Sequence, residues 1–130
     1  MYHFRWEIEG KLARVGRPGR EIGTDVQIDT ATVNAWVKEA MEKGIKSVIC
    51  LLGDDQLPLY SSVPGGLVEY YRTSGLTVAH IPTTDYVSLS AEQLSDVLKA
   101  YRDLGKPVLV HCSAGQGRSG AATEHIKANT

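Results

Sequence analysis

The sequence has only two cysteines, Cys50 and Cys112, and a formal net charge of only −1 at neutral pH. Two cysteines are too few for the disulfide framework of a small secreted domain and are typical of a reducing compartment. The balanced charge gives no indication that the whole chain binds nucleic acid or a membrane surface. These absences predict a cytoplasmic protein with neither a nucleic-acid nor a membrane partner.

The sequence also lacks long hydrophobic runs. No apolar stretch approaches the roughly 20 residues that a membrane span needs, and the first residues lack the apolar core of a signal peptide. Internal repeats, low-complexity tracts and interdomain linkers are equally absent. We therefore expect residues 1–130 to form a single domain, which is long enough to bury one hydrophobic core.

Apolar patterns alternate between strand and helix along the chain. The strand pattern occurs at residues 4–9, 12–15, 47–52, 77–81 and 108–110. The helix pattern occurs at residues 33–41, 67–71 and 90–101. Ser90 and Gln93 have the spacing of a capping box, and Gly44 is placed to end the first helix. This alternation predicts an α/β fold in which helices flank a mostly parallel central sheet.

The most informative segment is residues 111–120, with the sequence His-Cys-Ser-Ala-Gly-Gln-Gly-Arg-Ser-Gly. It follows the last predicted strand and opens onto a segment that is compatible with a helix. In such a loop, backbone N–H groups converge and the positive end of the helix dipole faces the same point. In a parallel sheet this point lies beyond the carboxyl ends of the strands, where ligands bind. The segment therefore predicts an anion-binding site.

The residue types within this segment suit chemistry at phosphorus. We expect the Cys112 thiol to be ionised in such an electropositive site and to act as the nucleophile. Arg118 offers a planar fork that holds two phosphate oxygens at once. We expect Ser119 to donate its hydroxyl to the sulfur, and His111 to orient the loop through hydrogen bonds rather than act as a base. Five further residues are expected to bind the substrate phosphate together with Arg118: Ser113, Ala114, Gly115, Gln116 and Gly117.

The segment resembles the His-Cys-x5-Arg-Ser/Thr signature of the cysteine-dependent protein tyrosine phosphatase superfamily. His111, Cys112, Arg118 and Ser119 carry the match. The resemblance implies a phosphatase-like fold that hydrolyses phosphate monoesters through a cysteinyl-phosphate intermediate. It implies no cofactor and no metal. A phosphorylated protein or a small phosphomonoester would be the substrate.

The dual-specificity branch of this superfamily implies a general acid on a loop somewhat under thirty residues before the cysteine. Asp85 is the only carboxylate in the corresponding segment, residues 81–86. The resemblance therefore implies that Asp85 protonates the leaving oxygen and then activates water. Family members often carry a proline a few residues after this acid, whereas Tyr86-Val87-Ser88-Leu89 follow here. A solvated loop aspartate is the alternative interpretation.

Two departures from the superfamily bear on the substrate. The sequence has no convincing match to the tyrosine-bearing loop that deepens the pocket of the longer tyrosine-specific enzymes. The loop interior has Ser113, Ala114 and Gln116, where phosphoinositide phosphatases often place lysines. These departures favour a shallow, dual-specificity pocket and disfavour a highly phosphorylated lipid.

The end of the chain leaves an alternative open. The superfamily has a substantial apolar helix after the loop, whereas residues 121–130 contain only one large apolar residue, Ile126. We expect a shortened C-terminal helical layer. A phosphate- or phosphopeptide-binding module with little turnover is therefore the alternative function. A different thiol enzyme, such as an arsenate reductase or a low-molecular-weight phosphatase, is disfavoured because those enzymes carry the loop near the N-terminus.

Two other features allow more than one interpretation. Arg14, Arg17 and Arg20 surround an Arg-Pro segment found near the start of many dual-specificity domains, but we favour a solvated loop over a place at the catalytic mouth. Cys50 lies in a predicted strand beside the active loop. A reversible Cys50–Cys112 disulfide is a hypothesis, and a buried cysteine acting as a small apolar residue is the default.

Overall fold

A five-stranded sheet forms the centre of the computed structural model, which describes residues 1–130. The strands are β1 (Arg5–Ile8), β2 (Leu12–Gly16), β3 (Ser47–Cys50), β4 (Thr77–His80) and β5 (Val108–Cys112). Their order across the sheet is β1-β2-β5-β3-β4. Only β1 is antiparallel to its neighbour, because the chain reverses in a tight turn before β2. The prediction of a mostly parallel sheet is confirmed.

Four α-helices flank the sheet: α1 (Thr30–Glu42), α2 (Leu67–Thr73), α3 (Ala91–Asp103) and α4 (Gly117–Ala128). The α3 capping box forms as expected: Gln93 N–H donates to Ser90 Oγ at 3.0 Å, and Ser90 N–H donates to Gln93 Oε1 at 2.9 Å. Gly44, just past α1, has a φ of +84°, a conformation that glycine adopts without strain. No helix is both long enough and apolar enough to cross a membrane.

The helices cover both faces of the sheet and bury a separate core on each. One core packs α1 and α2 against the face that carries Val48 and Cys50. The other packs α3 and α4 against the face that carries Ile49 and Cys112. The alternation along β3 follows from the two-residue period of a strand. The helices on both faces explain why β3 and β5 are buried along their whole length.

Strand β5 lies between β2 and β3 and is buried along its whole length. Its last residue, Cys112, is level with Gly16 at the end of β2, and Cys50 at the end of β3 is level with His111. The carboxyl ends of three parallel strands therefore meet where β5 ends. This edge of the sheet is where an α/β fold places its ligand.

Two local features differ from the expected elements. A short 3₁₀ helix, Leu57–Tyr60, occurs where no element was expected. The third strand also stops at Cys50, two residues earlier than its apolar pattern indicates. The Leu51 carbonyl leaves the ladder to accept hydrogen bonds from the side chains of Thr83 and Arg118. The apolar run therefore continues into a buried loop that contacts the site.

Candidate active site

The loop between β5 and α4 is shaped by its contact with β2. Gly115 has a φ of +77°, and a Cβ on it would lie 2.4 Å from the backbone of Val15 and Gly16. Arg17 N–H donates to the Ser113 carbonyl at 2.9 Å, which ties the loop to the residue after β2. Gly115 therefore packs behind the loop, while Ser113, Ala114, Gln116 and Gly117 line the cleft in front of it.

Cys112 sits at the base of this cleft with its sulfur buried. Ser119 Oγ lies 3.3 Å from Sγ, and the Ser119 backbone nitrogen lies 3.4 Å from it. Both groups belong to the first turn of α4, so the positive end of that helix also faces the sulfur. A sulfur anion in this position accepts two hydrogen bonds more strongly than a neutral thiol does.

Arg118 is almost fully buried and connects the loop to two other segments. Its Nη1 donates to the Leu51 carbonyl at 3.3 Å and to the Thr83 carbonyl and hydroxyl at 3.2 and 3.1 Å. Its Nη2 donates to Gln56 Oε1 at 3.1 Å and lies 3.3 Å from Asp85 Oδ1. The Nε atom is buried and has no acceptor in the protein. These contacts fix the plane of the guanidinium and leave its Nε hydrogen available for a ligand.

Asp85 lies on the loop between β4 and α3 and faces the same cleft. Besides its ion pair with Arg118, its carboxylate accepts from the Tyr86 backbone N–H at 3.0 Å and lies 3.5 Å from Gln56 Nε2. The Asp85 side chain is 34% exposed, so the carboxylate reaches both the arginine and water. The next residue, Tyr86, has a φ of +63°, a strained conformation for a bulky residue.

His111 is fully buried under the loop and has a partner on each ring nitrogen. Nδ1 is 3.2 Å from the Cys112 carbonyl, and Nε2 is 2.9 Å from the Tyr71 hydroxyl. A carbonyl can only accept, so Nδ1 carries the proton and Tyr71 donates to Nε2. Burial, reinforced by the charges of Arg17 and Arg118, lowers the pKa of His111 to about 4 despite the opposing effect of the Cys112 carbonyl. The ring is therefore neutral at physiological pH and holds the carbonyl of the cysteine.

Arg17 corrects the interpretation of the Arg-Pro segment as a solvated loop. Its side chain is fully buried, and it lies beneath the loop. It donates to Ser113 Oγ at 3.4 Å, to Tyr60 Oη at 3.0 Å, and to the carbonyls of Gly23 and Thr24 at 3.3 and 3.0 Å. These acceptors replace water around the guanidinium, which explains why the charge tolerates burial.

Arg14 is held beside the same loop, donating to the Gln116 carbonyl at 3.1 Å. Its Nε is also 3.4 Å from Glu7 Oε2, and Lys127 and Arg5 pair with the same carboxylate. Burial alone raises the pKa of Glu7, but these three cations together bring it below its ordinary value. The Glu7 carboxylate therefore links β1 to Arg14 of β2 and to Lys127 of α4 through ion pairs.

Cys50 does not face Cys112. The two side chains belong to the cores on opposite faces of the sheet, and both thiols are free. A bond between sulfurs whose Cβ vectors diverge requires backbone movement. Burial raises the pKa of Cys50 to about 12, as expected for an inert apolar cysteine. The geometry supports the default interpretation and not the disulfide.

The cleft above the loop has a volume of about 540 Å³. One wall is the loop with Cys112 and Arg118, and another is the Asp85 loop with the exposed side chains of Tyr86 and Val87. Gln56 and Thr83 contact Arg118 but were not expected as site residues. No local sequence pattern identifies them, because they lie 62 and 35 residues from Arg118 and only the folded chain brings them close.

Comparison with curated protein sequences gives no significant match. Among solved structures, a form of Tk-PTP has 28% sequence identity and a TM-score of 0.63, covering 92% of this chain and 66% of that one. A DUF442 protein from Shewanella putrefaciens CN-32 has 19% identity and a TM-score of 0.69, covering 98% and 71%. The core catalytic domain of the PP-IP phosphatase SIW14 from S. cerevisiae has 15% identity and a TM-score of 0.60, covering 96% and 64%.

The chain thus spans just under two thirds of the length of Tk-PTP. It has the same fold as the other two structures. The family model described as "Tc-R-P: Polymorphic toxin system, DSP-PTPase phosphatase" matches residues 22–126. This match includes the whole loop from His111 to Ser119 and the Asp85 segment. The resemblance to the cysteine-dependent phosphatases is confirmed, and the chain belongs to this DSP-PTPase phosphatase family of polymorphic toxin systems.

Proposed function

We propose that the chain hydrolyses phosphate monoesters by way of a phosphoryl group bound to Cys112. The observation that carries the proposal is the convergence on one cleft of a buried sulfur with two hydrogen-bond donors, an arginine with a free Nε, and a carboxylate. These are a nucleophile, an oxyanion-binding group and a proton donor. A phosphorylated protein or a small phosphomonoester is the proposed substrate.

In the first step, the Cys112 thiolate attacks phosphorus and an S–P bond forms as the bond to the leaving oxygen breaks. Backbone N–H groups of the loop and the Arg118 guanidinium hold the non-bridging oxygens. The protonated Asp85 carboxyl gives its proton to the leaving oxygen, so that an alcohol or phenol departs. The ion pair between Asp85 and Arg118 must open to admit the substrate, and the phosphate then takes the place of the carboxylate beside Arg118.

In the second step, water attacks the phosphorus of the cysteinyl-phosphate. The Asp85 carboxylate takes a proton from that water, the S–P bond breaks, and its electron pair returns to sulfur. Ser119 donates its hydroxyl to the departing sulfur, which stabilises the thiolate. Inorganic phosphate then leaves, and Asp85 is protonated again for the next cycle.

His111 and Arg17 are proposed to position the loop rather than touch the substrate. His111 holds the Cys112 carbonyl, and Arg17 holds the Ser113 hydroxyl and carbonyl from below. These contacts fix the direction of the backbone N–H groups before the phosphate arrives. Such preorganisation spares the reaction the cost of reorienting dipoles.

The test is hydrolysis of para-nitrophenyl phosphate without added metal ions, with vanadate as inhibitor. We expect turnover by the wild type, inhibition by vanadate, and no turnover by Cys112→Ser. Cys50→Ala is the matched control, since it removes the other thiol from the opposite face of the sheet. Retention of turnover by Cys112→Ser would contradict the proposal. Tight vanadate binding by a folded wild type without turnover would assign the loop to a phosphate-binding module instead.

A further inference from the structure

Four buried side-chain nitrogen or oxygen atoms have no hydrogen-bond partner in the protein. Two of them, Arg14 Nε and Glu7 Oε2, lie 3.4 Å apart and compensate each other as an ion pair. The other two are the Nε atoms of Arg118 and Arg20, and both arginines line the catalytic cleft. Buried donors without an acceptor are rare, so each needs an explanation, and at a cleft a bound anion supplies one.

The reacting phosphate accounts for Arg118 but not for Arg20. Arg118 lies in the first turn of α4, where its unpaired Nε is available to the reacting phosphate. Arg20 comes instead from the segment after β2. Its backbone N–H donates to the Arg17 carbonyl at 3.2 Å, and its guanidinium carbon lies 5.9 Å from the centre of the Tyr2 ring. The side chain is thus held at the cleft.

The Arg20 guanidinium has no counter-charge. It takes part in none of the ion pairs of the structure, and the one carboxylate that lines the cleft, that of Asp85, is paired with Arg118. Arg14 and Arg17, by contrast, have their guanidinium groups bonded to the protein. A partly buried cation with an unused planar fork binds an anionic group more strongly than an exposed one does.

We propose that Arg20 binds a second anionic group of the substrate, next to the phosphate that reacts at Cys112. The substrate class is then a phosphomonoester that also carries a phosphate or a carboxylate. This inference deepens the proposed function and rests on it, because it takes the loop as the place of the reacting phosphate. Arg20 sets specificity and takes no part in the bonds that form or break.

The first arm of the test measures inhibition of para-nitrophenyl phosphate hydrolysis by phosphate, pyrophosphate and tripolyphosphate. In the wild type, we expect at least one of the longer anions to inhibit about tenfold more tightly than phosphate, as one charge-assisted hydrogen-bond pair warrants. In Arg20→Gln, the ratio of the inhibition constant of phosphate to that of the longer anion should fall close to one. Arg20→Lys should restore part of the difference. Arg5→Gln is the control, since Arg5 is an exposed cation outside the cleft.

The second arm distinguishes a carboxylate from a phosphate as the second group. It compares kcat/KM for phosphotyrosine peptides in which the neighbouring residue is glutamine, glutamate or phosphothreonine, on either side. If the wild type prefers glutamate and Arg20→Gln loses that preference, the group that Arg20 binds is a carboxylate. If the preference occurs only with phosphothreonine, the group is a phosphate. Either preference should shrink as ionic strength rises, because the contact is between charges.

Two results would overturn the inference. One is an equal loss on single-anion and double-anion compounds in Arg20→Gln, which would place Arg20 on the reacting phosphate. The other is that Arg20→Gln changes neither the relative inhibition by the longer anions nor the peptide preference. If the wild type hydrolyses nothing, the proposed function fails separately. Calorimetric binding of phosphate and tripolyphosphate to wild type and Arg20→Gln then decides the second-anion site, with the same ratios expected.

Discussion

At the residue scale, the site depends on side chains that each connect distant segments. Arg118 contacts the backbone of Leu51 and Thr83, the amide of Gln56 and the carboxylate of Asp85. Replacing such a residue therefore changes both the ligand contacts and the relative position of three loops. Conservative substitutions separate the two effects, because they keep charge or size while removing one property.

Arg118→Lys keeps the charge and removes the planar fork. We expect a loss in kcat/KM of about 10²–10³, as is typical when one donor to a developing oxyanion is removed. Vanadate binding should weaken as well, because the same fork holds that oxyanion. Steady-state kinetics and vanadate inhibition measure the two effects. Arg102→Lys, on the outer face of α3, is the matched control, and comparable losses in it would contradict the assignment.

Asp85→Asn removes the proton that the leaving oxygen requires. We expect turnover of phosphoserine or alkyl phosphates to fall by roughly 10²–10⁴. The loss should be smaller for para-nitrophenyl phosphate, since nitrophenolate leaves without protonation. The measurement is kcat across a series of leaving groups of increasing basicity, beside Asp54→Asn as a loop control. A loss independent of leaving group would remove Asp85 from the acid role.

At the element scale, the helices and strands follow from local signals. The Ser90–Gln93 box and Gly44 mark helix ends because capping involves residues that are close in sequence. The strand-loop-helix segment at residues 108–120 is equally local, which is why Cys112 and Arg118 could be assigned to one site. The 3₁₀ helix at Leu57–Tyr60 has Pro58 in its first turn but no capping side chain, and the Leu59 carbonyl accepts from Ile28, a partner distant in sequence.

The loop's dependence on glycine is position-specific. Gly115→Ala places a Cβ 2.4 Å from the β2 backbone at a φ of +77°, so either the loop or β2 must move. We expect a stability loss of about 1–3 kcal/mol together with loss of vanadate binding. Gly117→Ala is the matched comparison for folding, because a Cβ there meets nothing within 4 Å. Chemical denaturation of both variants checks the contrast, and equal stability would contradict it.

At the scale of the whole molecule, what sequence reasoning missed lies in long-range contacts. The sequence favours a solvated loop around Arg17 because charged, glycine-rich segments are usually exposed. Its burial depends on Tyr60, Thr24 and Ser113, which only the folded chain brings together. The structure gives no support to the Cys50–Cys112 disulfide hypothesis for the complementary reason: the strands are neighbours as expected, but the two side chains lie on opposite faces of the sheet.

Burial of neutral His111 makes the stability of the fold dependent on pH. The unfolded chain protonates this residue near its ordinary pKa of 6.5, whereas the folded chain does so only near 4. Below pH 6.5 the unfolded state therefore binds more protons, and stability falls by roughly 1.4 kcal/mol per pH unit until about pH 4. Imidazole NMR signals followed with pH test this directly: that of His111 should titrate near pH 4. Titration of the His111 signal near pH 6.5 in the folded protein would contradict this prediction.

The covalent intermediate is the most direct test of the proposed mechanism. Asp85→Asn retains the nucleophile and lacks the base that activates water, so it should accumulate the cysteinyl-phosphate. We would mix this variant with para-nitrophenyl phosphate, quench in acid within one turnover, and map the adduct by mass spectrometry. We expect one added phosphoryl group on the peptide that contains Cys112, and none in the double variant Asp85→Asn/Cys112→Ser. A burst of nitrophenolate with the phosphoryl group on a residue other than Cys112 would contradict this mechanism. Continued turnover by Asp85→Asn/Cys112→Ser without any adduct would contradict it as well.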